Sequence, residues 1–187
     1  DIVVETECAC ENCRSKMKAR GMDVDNRADR ARFAADTLYE FRTEISKLIR
    51  KRVPDATIFF NGGNPDKLMK RSAGAYSHLE LESLASGKWG YDYFTIASRY
   101  AGHFGKKMLG MTGKFHTSWG DFHSLKNLPA LEFECFHMLA MGTGCSIGDQ
   151  LHPWGKLSQA TYDLIGKVYK SIEEKEPYCN GAIPRAE

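Results

Sequence analysis

The chain has 187 residues, 26 Lys+Arg against 24 Asp+Glu, 42% apolar and 11% aromatic residues, 6 Cys and 6 His. That length suits one ordinary domain able to bury a core without staples, and the apolar fraction excludes a disordered chain. No run of 18 apolar residues occurs, which excludes a transmembrane helix, and a net charge of +2 gives no electrostatic case for nucleic acid or an anionic membrane.

The chain opens without Met inside an apolar run, Asp1-Ile2-Val3-Val4, turns polar at Glu5, and closes on Ala182-Ile183-Pro184-Arg185-Ala186-Glu187. No amino-terminal stretch reads as a signal peptide, and the ends read as those of a piece of something longer. Ala31, Ala34, Leu38, Phe41, Ile45 and Leu48 step by three or four and predict a long amphipathic helix that Pro54 stops. Ala56-Thr57-Ile58-Phe59-Phe60 reads as a short strand, and Asn61-Gly62-Gly63-Asn64-Pro65 as the loop after it. Tyr76 to Leu84 alternates like a strand, the loop Ser86–Gly90 follows, and Tyr91 to Phe104 reads as a helix. Lys107 to Met111 is the next strand, with a polar and aromatic loop to Lys126. Pro129 suits a first helical turn, with Leu131, Cys135, Met138 and Leu139 at helical spacing behind it. Gly144 to Gly148 is a last short strand, and Ser158 caps a helix striped by Thr161, Leu164, Ile165, Val168 and Ile172.

Strands alternating with helices predict an α/β fold with parallel strands. Four strands are complete, with the tip of one more before the first helix. A (β/α)8 barrel takes roughly 250 residues, so the arithmetic leaves about half a barrel or a small doubly wound sheet. No Gly-rich phosphate fingerprint or Walker pattern occurs, which weakens a nucleotide-binding reading.

The segments at the strand ends are rich in chemistry. Asn61 and Asn64 follow the first strand, and His78, Glu80, Glu82 and Trp89 mark the second. His116, Trp119, Asp121 and His123 follow the third; Asp149, Gln150, His152 and Trp154 follow the fourth. Carboxylates can act as acid, base or nucleophile at an anomeric carbon, while indoles pack on a pyranose face and His, Asn and Gln bond its hydroxyls. The plain alternative is a set of solvated loops with Trp filling gaps. In His78-Leu79-Glu80-Leu81-Glu82, period two puts His78, Glu80 and Glu82 on one face and the leucines on the other. Leucines turned out to covering helices would turn the polar trio in toward a barrel axis; a solvated strand face is the alternative.

Cys8, Cys10 and Cys13 form a tight C-x-C-x-x-C cluster that could supply three ligands to a structural zinc, a closed site needing four. Reduced cysteines without metal are the alternative. Cys135 and Cys145 sit in apolar surroundings and read as packing residues. This cysteine usage makes no disulfide framework and predicts a reducing, cytoplasmic compartment.

Four stretches carry a family resemblance: Asp1 through Cys13; His78 to Ser83 with Gly87-Lys88-Trp89-Gly90-Tyr91-Asp92; Ser118-Trp119-Gly120-Asp121-Phe122; and Gly144-Cys145-Ser146-Ile147-Gly148-Asp149-Gln150-Leu151-His152-Pro153. Together they resemble a bacterial glycoside hydrolase group, the hypothetical glycosyl hydrolase family six, which includes α-L-fucosidases. The resemblance implies a catalytic (β/α)8 barrel, of which residues 1–187 would be the second half, from the end of strand four through helix eight, with the upstream half and further domains absent. It implies a retaining, exo-acting glycosidase acting on a glycoside or oligosaccharide, with Asp1 standing where the nucleophile at the end of strand four would fall. Glu80 and Glu82 are the acid/base candidates, with Asp121 a third, and the sequence does not choose between them. Asn61, His78, Trp89, His116, Trp119, Asp121, Asp149, Gln150 and His152 would bind the sugar, and double displacement at two carboxylates needs no organic cofactor.

The cysteine cluster is similar to the zinc cluster after strand four in trimeric β-galactosidases, so Cys8, Cys10 and Cys13 are the metal candidates. A homo-oligomer is expected. A β-galactosidase or other exo-glycosidase on the same barrel is the rival of the same class; an inactive fragment or carbohydrate-binding module is the rival of a different class. A zinc-ribbon nucleic-acid binder lacks both the second Cys pair and the basic patch.

Overall fold

Two compact units make up the chain, residues 1–77 and 78–187. A computed structural model describes residues 8–62 and 64–182.

The first unit is helical. It contains α1 (Glu11–Ala19), α2 (Arg27–Arg52), α3 (Lys67–Arg71) and a 3-10 turn at Ala73–Ala75. The Asn26 side chain caps α2 by accepting from the Ala28 and Asp29 amides, and Asp29 near the start with Arg50, Lys51 and Arg52 at the end suits the helix dipole. Met17, Val24 and Phe33 form a small core, with Cys13 packed against it.

The expected apolar stripe of α2 is displaced. Ala34 is buried, but Ala31 and Leu48 are exposed, and the buried face includes Arg42 and Ser46. Both polar groups have partners distant in sequence: Arg42 Nη1 donates to Ser72 Oγ at 3.0 Å, and Ser46 Oγ to the Ala75 carbonyl at 2.8 Å. A buried polar group needs such a partner, and apolar periodicity cannot supply it.

Ala56–Phe60 forms no strand among the described residues, against the sequence expectation. The Ile58 amide donates to Ser77 Oγ at 2.7 Å, so a side chain takes the place a ladder carbonyl would fill. Ser77 N returns a bond to the Ile58 carbonyl at 2.9 Å.

The second unit is a parallel α/β layer. Strands β1 (His78–Glu82), β2 (Lys107–Gly113) and β3 (Gly144–Gly148) form one sheet in the order β1-β2-β3. The crossover helices are α4 (Tyr93–Gly102) and α5 (Leu128–Ala140); α6 (Gln159–Glu173) and the short α7 (Glu176–Cys179) follow. Pro129 stands in the first turn of α5 behind an Asn127 cap, and Ser158 caps α6, as the sequence predicts.

Register and alternation assign every strand side chain to a face. His78, Glu80 and Glu82 lie level with Lys107, Leu109 and Met111, and Met111 with Ser146. Leu79 and Leu81 share the other face with Met108, Gly110, Thr112, Cys145 and Ile147. That face is the helix-covered one: Leu79 and Leu81 are buried, each burial contributing about 1.5–3 kcal/mol. Gly110 lets α4 and α5 close onto β2, since a Cβ there would fall 2.5 Å from Met138 Cγ and 2.8 Å from Phe94 Cζ. Behind it Leu131, Cys135, Leu139, Val168 and Ile172 form the core, with Cys145 and Ile147 against them.

One charged pair is built into this apolar layer. Lys126 Nζ donates to Glu134 Oε2 at 2.6 Å and to Thr112 Oγ1 at 2.8 Å, and the Thr112 hydroxyl also donates to Glu134. Lys126, Thr112 and Glu134 are all buried, and Glu134 Oε1 has no hydrogen-bond partner among the described residues. Among the described residues no helix is long and apolar enough to cross a membrane.

Candidate active site

Parallel α/β sheets present ligand groups at the carboxyl ends of their strands. In the second unit the segments after β1, β2 and β3 are tied together there, mainly through main-chain atoms. The Ser86 hydroxyl donates to the His116 carbonyl at 2.7 Å, and the Lys114 amide to the Gly148 carbonyl at 2.9 Å. The Lys126 amide closes the β2 loop onto the Lys114 carbonyl at 2.8 Å.

Two charged groups stand at the base of these loops. Lys114, directly after β2, is buried; its Nζ donates to the Phe122 carbonyl at 2.7 Å and lies 3.9 Å from Asp149 Oδ1, directly after β3. Asp149 is a residue the sequence singles out, whereas Lys114 does not stand at a strand end until the strand expected over Lys107–Met111 is seen to run to Gly113.

Trp119 packs into a notch between strands. A Cβ on Gly148 would lie 2.4 Å from its ring, and one on Gly113 3.1 Å from it. Phe115 meets its edge at 5.4 Å between centroids, and the indole nitrogen is buried without a hydrogen-bond partner among the described residues. Trp119 therefore roofs the carboxyl ends of β2 and β3 on the face that carries Glu80 and Glu82. A Gly148→Ala variant is expected to lose about 1–3 kcal/mol in urea unfolding and to change the Trp119 emission, because the rigid indole must move.

On β1, His78 Nε2 and Glu80 Oε1 are 3.0 Å apart, and all three polar side chains are half-buried as period two requires. Tyr93, at the start of α4, has its phenol pushed up to about 12 by burial and by the charge of Glu82. It stays protonated at neutral pH, a donor that the sequence reading did not single out. Trp89 meets Tyr93 edge to face at 4.9 Å.

No family model and no curated protein matches the chain. Among solved structures it superposes on α-L-fucosidase isoenzyme 2 from Paenibacillus thiaminolyticus with a TM-score of 0.93 and 44% sequence identity, over 100% of this chain and 28% of that one. All 187 residues of this chain are thus similar to one segment of that fucosidase. It spans 28% of the length of that fucosidase, and the match bears out the resemblance read from the motifs.

Within this fucosidase-like chain, His78, Glu80, Glu82, Trp89, His116, Trp119, Asp121, Asp149, Gln150 and His152 all belong to the second unit. His116, Gln150 and His152 are exposed on its loops, and Gln150 approaches the β2 loop at Gly120. Asn61 is half-buried in the first unit, and Asp1 lies outside the described residues.

Asp121 does not suit the acid/base role allowed it from sequence. Its Oδ2 accepts from Ser124 Oγ at 2.5 Å and Thr117 Oγ1 at 2.7 Å, and these bonds hold its carboxyl below the usual carboxylate range. These bonds tie the carboxylate to its own loop and favour its ionised form over the protonated one a resting acid needs.

The cysteine cluster belongs to the first unit, and a helix the sequence reading missed presents it: Cys10 is the N-cap of α1 and Cys13 lies in its first turn. The three sulfurs lie within 4.8 Å of one another. Around a tetrahedral zinc, bonds of about 2.3 Å put sulfurs roughly 3.8 Å apart, so the set fits three of four positions. Hydrogen bonds from the Cys13 amide and thiol lower the Cys10 thiol, while bonding to Cys10 and burial push Cys13 up to about 11.

A cleft of about 510 Å³ lies elsewhere, at the amino ends of β2 and β3 among Lys107, Gly144, Glu176 and Cys179. That is the end of the sheet opposite the polar loops, so volume alone does not mark the site.

Proposed function

We propose that residues 1–187 are the second half of a (β/α)8 catalytic domain, from the end of strand four through helix eight, in a retaining, exo-acting α-L-fucosidase-like glycoside hydrolase. The observation that carries this reading is the 44% identity to α-L-fucosidase isoenzyme 2 across the whole chain at a TM-score of 0.93. The sheet supports it. The parallel order β1-β2-β3, each strand joined to the next through a helix, is that of consecutive units of such a barrel. The face opposite α4 and α5 carries His78, Glu80 and Glu82, the polar lining a barrel interior would need.

Of the two glutamates, Glu82 is the better acid/base. It ends β1 on the side of the loops, with Tyr93 beside it. Glu80 lies one step deeper and is engaged by His78, which suits holding an orientation rather than delivering a proton. In the proposed reaction Asp1 attacks the anomeric carbon while Glu82 protonates the departing oxygen. Glu82 then takes a proton from water, whose oxygen displaces Asp1 and frees the sugar with its configuration retained. Asn61, His116, Trp119, Asp149, Gln150 and His152 would bind hydroxyls and ring, with Lys114 orienting Asp149.

The test uses the longest form of the protein that its gene encodes. Hydrolysis of 4-nitrophenyl α-L-fucoside, with retention seen by proton NMR, is the expected result. Cleavage of the β-galactoside alone would move the protein to the rival exo-glycosidase reading, and an inverted product would remove the nucleophile role of Asp1.

We also propose that Cys8, Cys10 and Cys13 hold a structural zinc, with a fourth donor completing the tetrahedron. Zinc would take the thiols as thiolates and release their protons, so its retention weakens as pH falls. About one zinc per chain is expected by elemental analysis, falling to near zero in a Cys10→Ser variant; equal metal content in both would refute the site.

A further inference from the structure

The β3 loop carries an aromatic group that the reaction outlined above leaves unused. Trp154 is 82% exposed, yet its ring is not loose. Its amide donates to His152 Nδ1 at 3.3 Å, and the Gly155 amide closes a turn onto the His152 carbonyl at 2.8 Å. Gly155 sits at φ +68°, a conformation that favours glycine, so the turn is fixed by residue type. The imidazole of His152 meets the Trp154 ring at 4.7 Å and 65°, and the Phe122 ring at 6.4 Å and 78°. Phe122 is itself anchored through its carbonyl to Lys114. A chain of contacts thus runs from the Lys114–Asp149 pair out to an indole that faces water.

We propose that Trp154, braced by His152 and Phe122, is the platform on which the aglycone sugar of a fucosylated saccharide stacks. This rests on the glycosidase reading and adds the leaving-group side of the site. An indole held in water forgoes a large apolar burial, and a pyranose regains it by laying its C–H face on the ring. The indole stands on a loop with polar Gln150 and His152, a mixture that suits a sugar better than the charge-depleted centre of a protein interface. The position also fits: the platform follows Asp149 on the loop at the carboxyl end of β3, next to residues assigned to the terminal sugar.

The experiment compares two substrates of the longest encoded protein: α-L-fucosyl fluoride, whose leaving group has no ring, and an α-L-fucosyl-galactose disaccharide. In Trp154→Ala the ratio of kcat/KM for disaccharide over fluoride is expected to fall about tenfold, mainly through KM, and Trp154→Phe to restore most of it. An unchanged ratio overturns the platform, including the case where the variant alters only oligomeric state. If the wild type cleaves neither substrate, the hydrolase reading fails by itself. The platform is then read from the Trp154 indole N–H resonance, identified with the Phe variant, during titration with methyl β-D-galactoside. A saturable shift keeps it, and no shift overturns it.

Discussion

Replacing Lys126 by Met is expected to cost about 3–5 kcal/mol of folding stability, read as a lowered urea midpoint at unchanged slope. The size follows from what the variant leaves behind. Glu134 is buried, its Oε1 already lacks a partner among the described residues, and its Oε2 is paired with the Lys126 ammonium at 2.6 Å. Without Lys126 the carboxylate must stay charged in an apolar layer or take up a proton, and either route costs free energy. The double variant Lys126→Met/Glu134→Leu should regain most of the loss, because well-packed apolar groups often replace a buried ion pair at little cost. A single variant within 1 kcal/mol of wild type would show that the pair is not isolated from water as the geometry implies. Lys126 also ends the β2 loop, so the single variant should loosen the segment carrying His116 and Trp119.

Glu82→Gln is expected to lower kcat by about 10²–10⁴-fold on a disaccharide, whose leaving oxygen needs a proton. On fucosyl fluoride the first step should be far less affected, since fluoride departs without protonation, and azide should restore turnover by replacing the activated water. Glu80→Gln should cost less and show no azide rescue. If the two variants exchange these behaviours, the acid/base is Glu80 and the argument from strand position fails. Disaccharide turnover left intact in both would remove the β1 carboxylates from the chemistry.

The second unit was far more legible in the sequence than the first. Alternation in His78–Glu82 assigned both faces of β1 because a strand buried on one side repeats every two residues, and the stripes of α5 and α6 survived because their partners are apolar and non-specific. In α2 the same argument misplaced the buried face, since Arg42 and Ser46 are buried through bonds to residues about thirty positions on. Lys114, Lys126 and Tyr93 escaped notice for a related reason. A lysine or phenol reads as surface until the fold brings its partner, and Asp149, Glu134 and Glu82 become partners only once the sheet has formed. The Cys8–Cys13 spacing is legible as a cluster, but the helix that starts inside it is mostly polar and buries only Met17, too little for an apolar stripe to show.

The ties among the three loops end largely on peptide carbonyls: those of His116, Gly148, Lys114 and Phe122. Such acceptors persist whatever side chain the residue bears. The outward groups at His116, Gln150 and His152 are thereby released from most architectural duty, and drift at those places can retune what the loops bind while the frame endures. Descendants of one scaffold can in this way part company in diet long before they part company in shape.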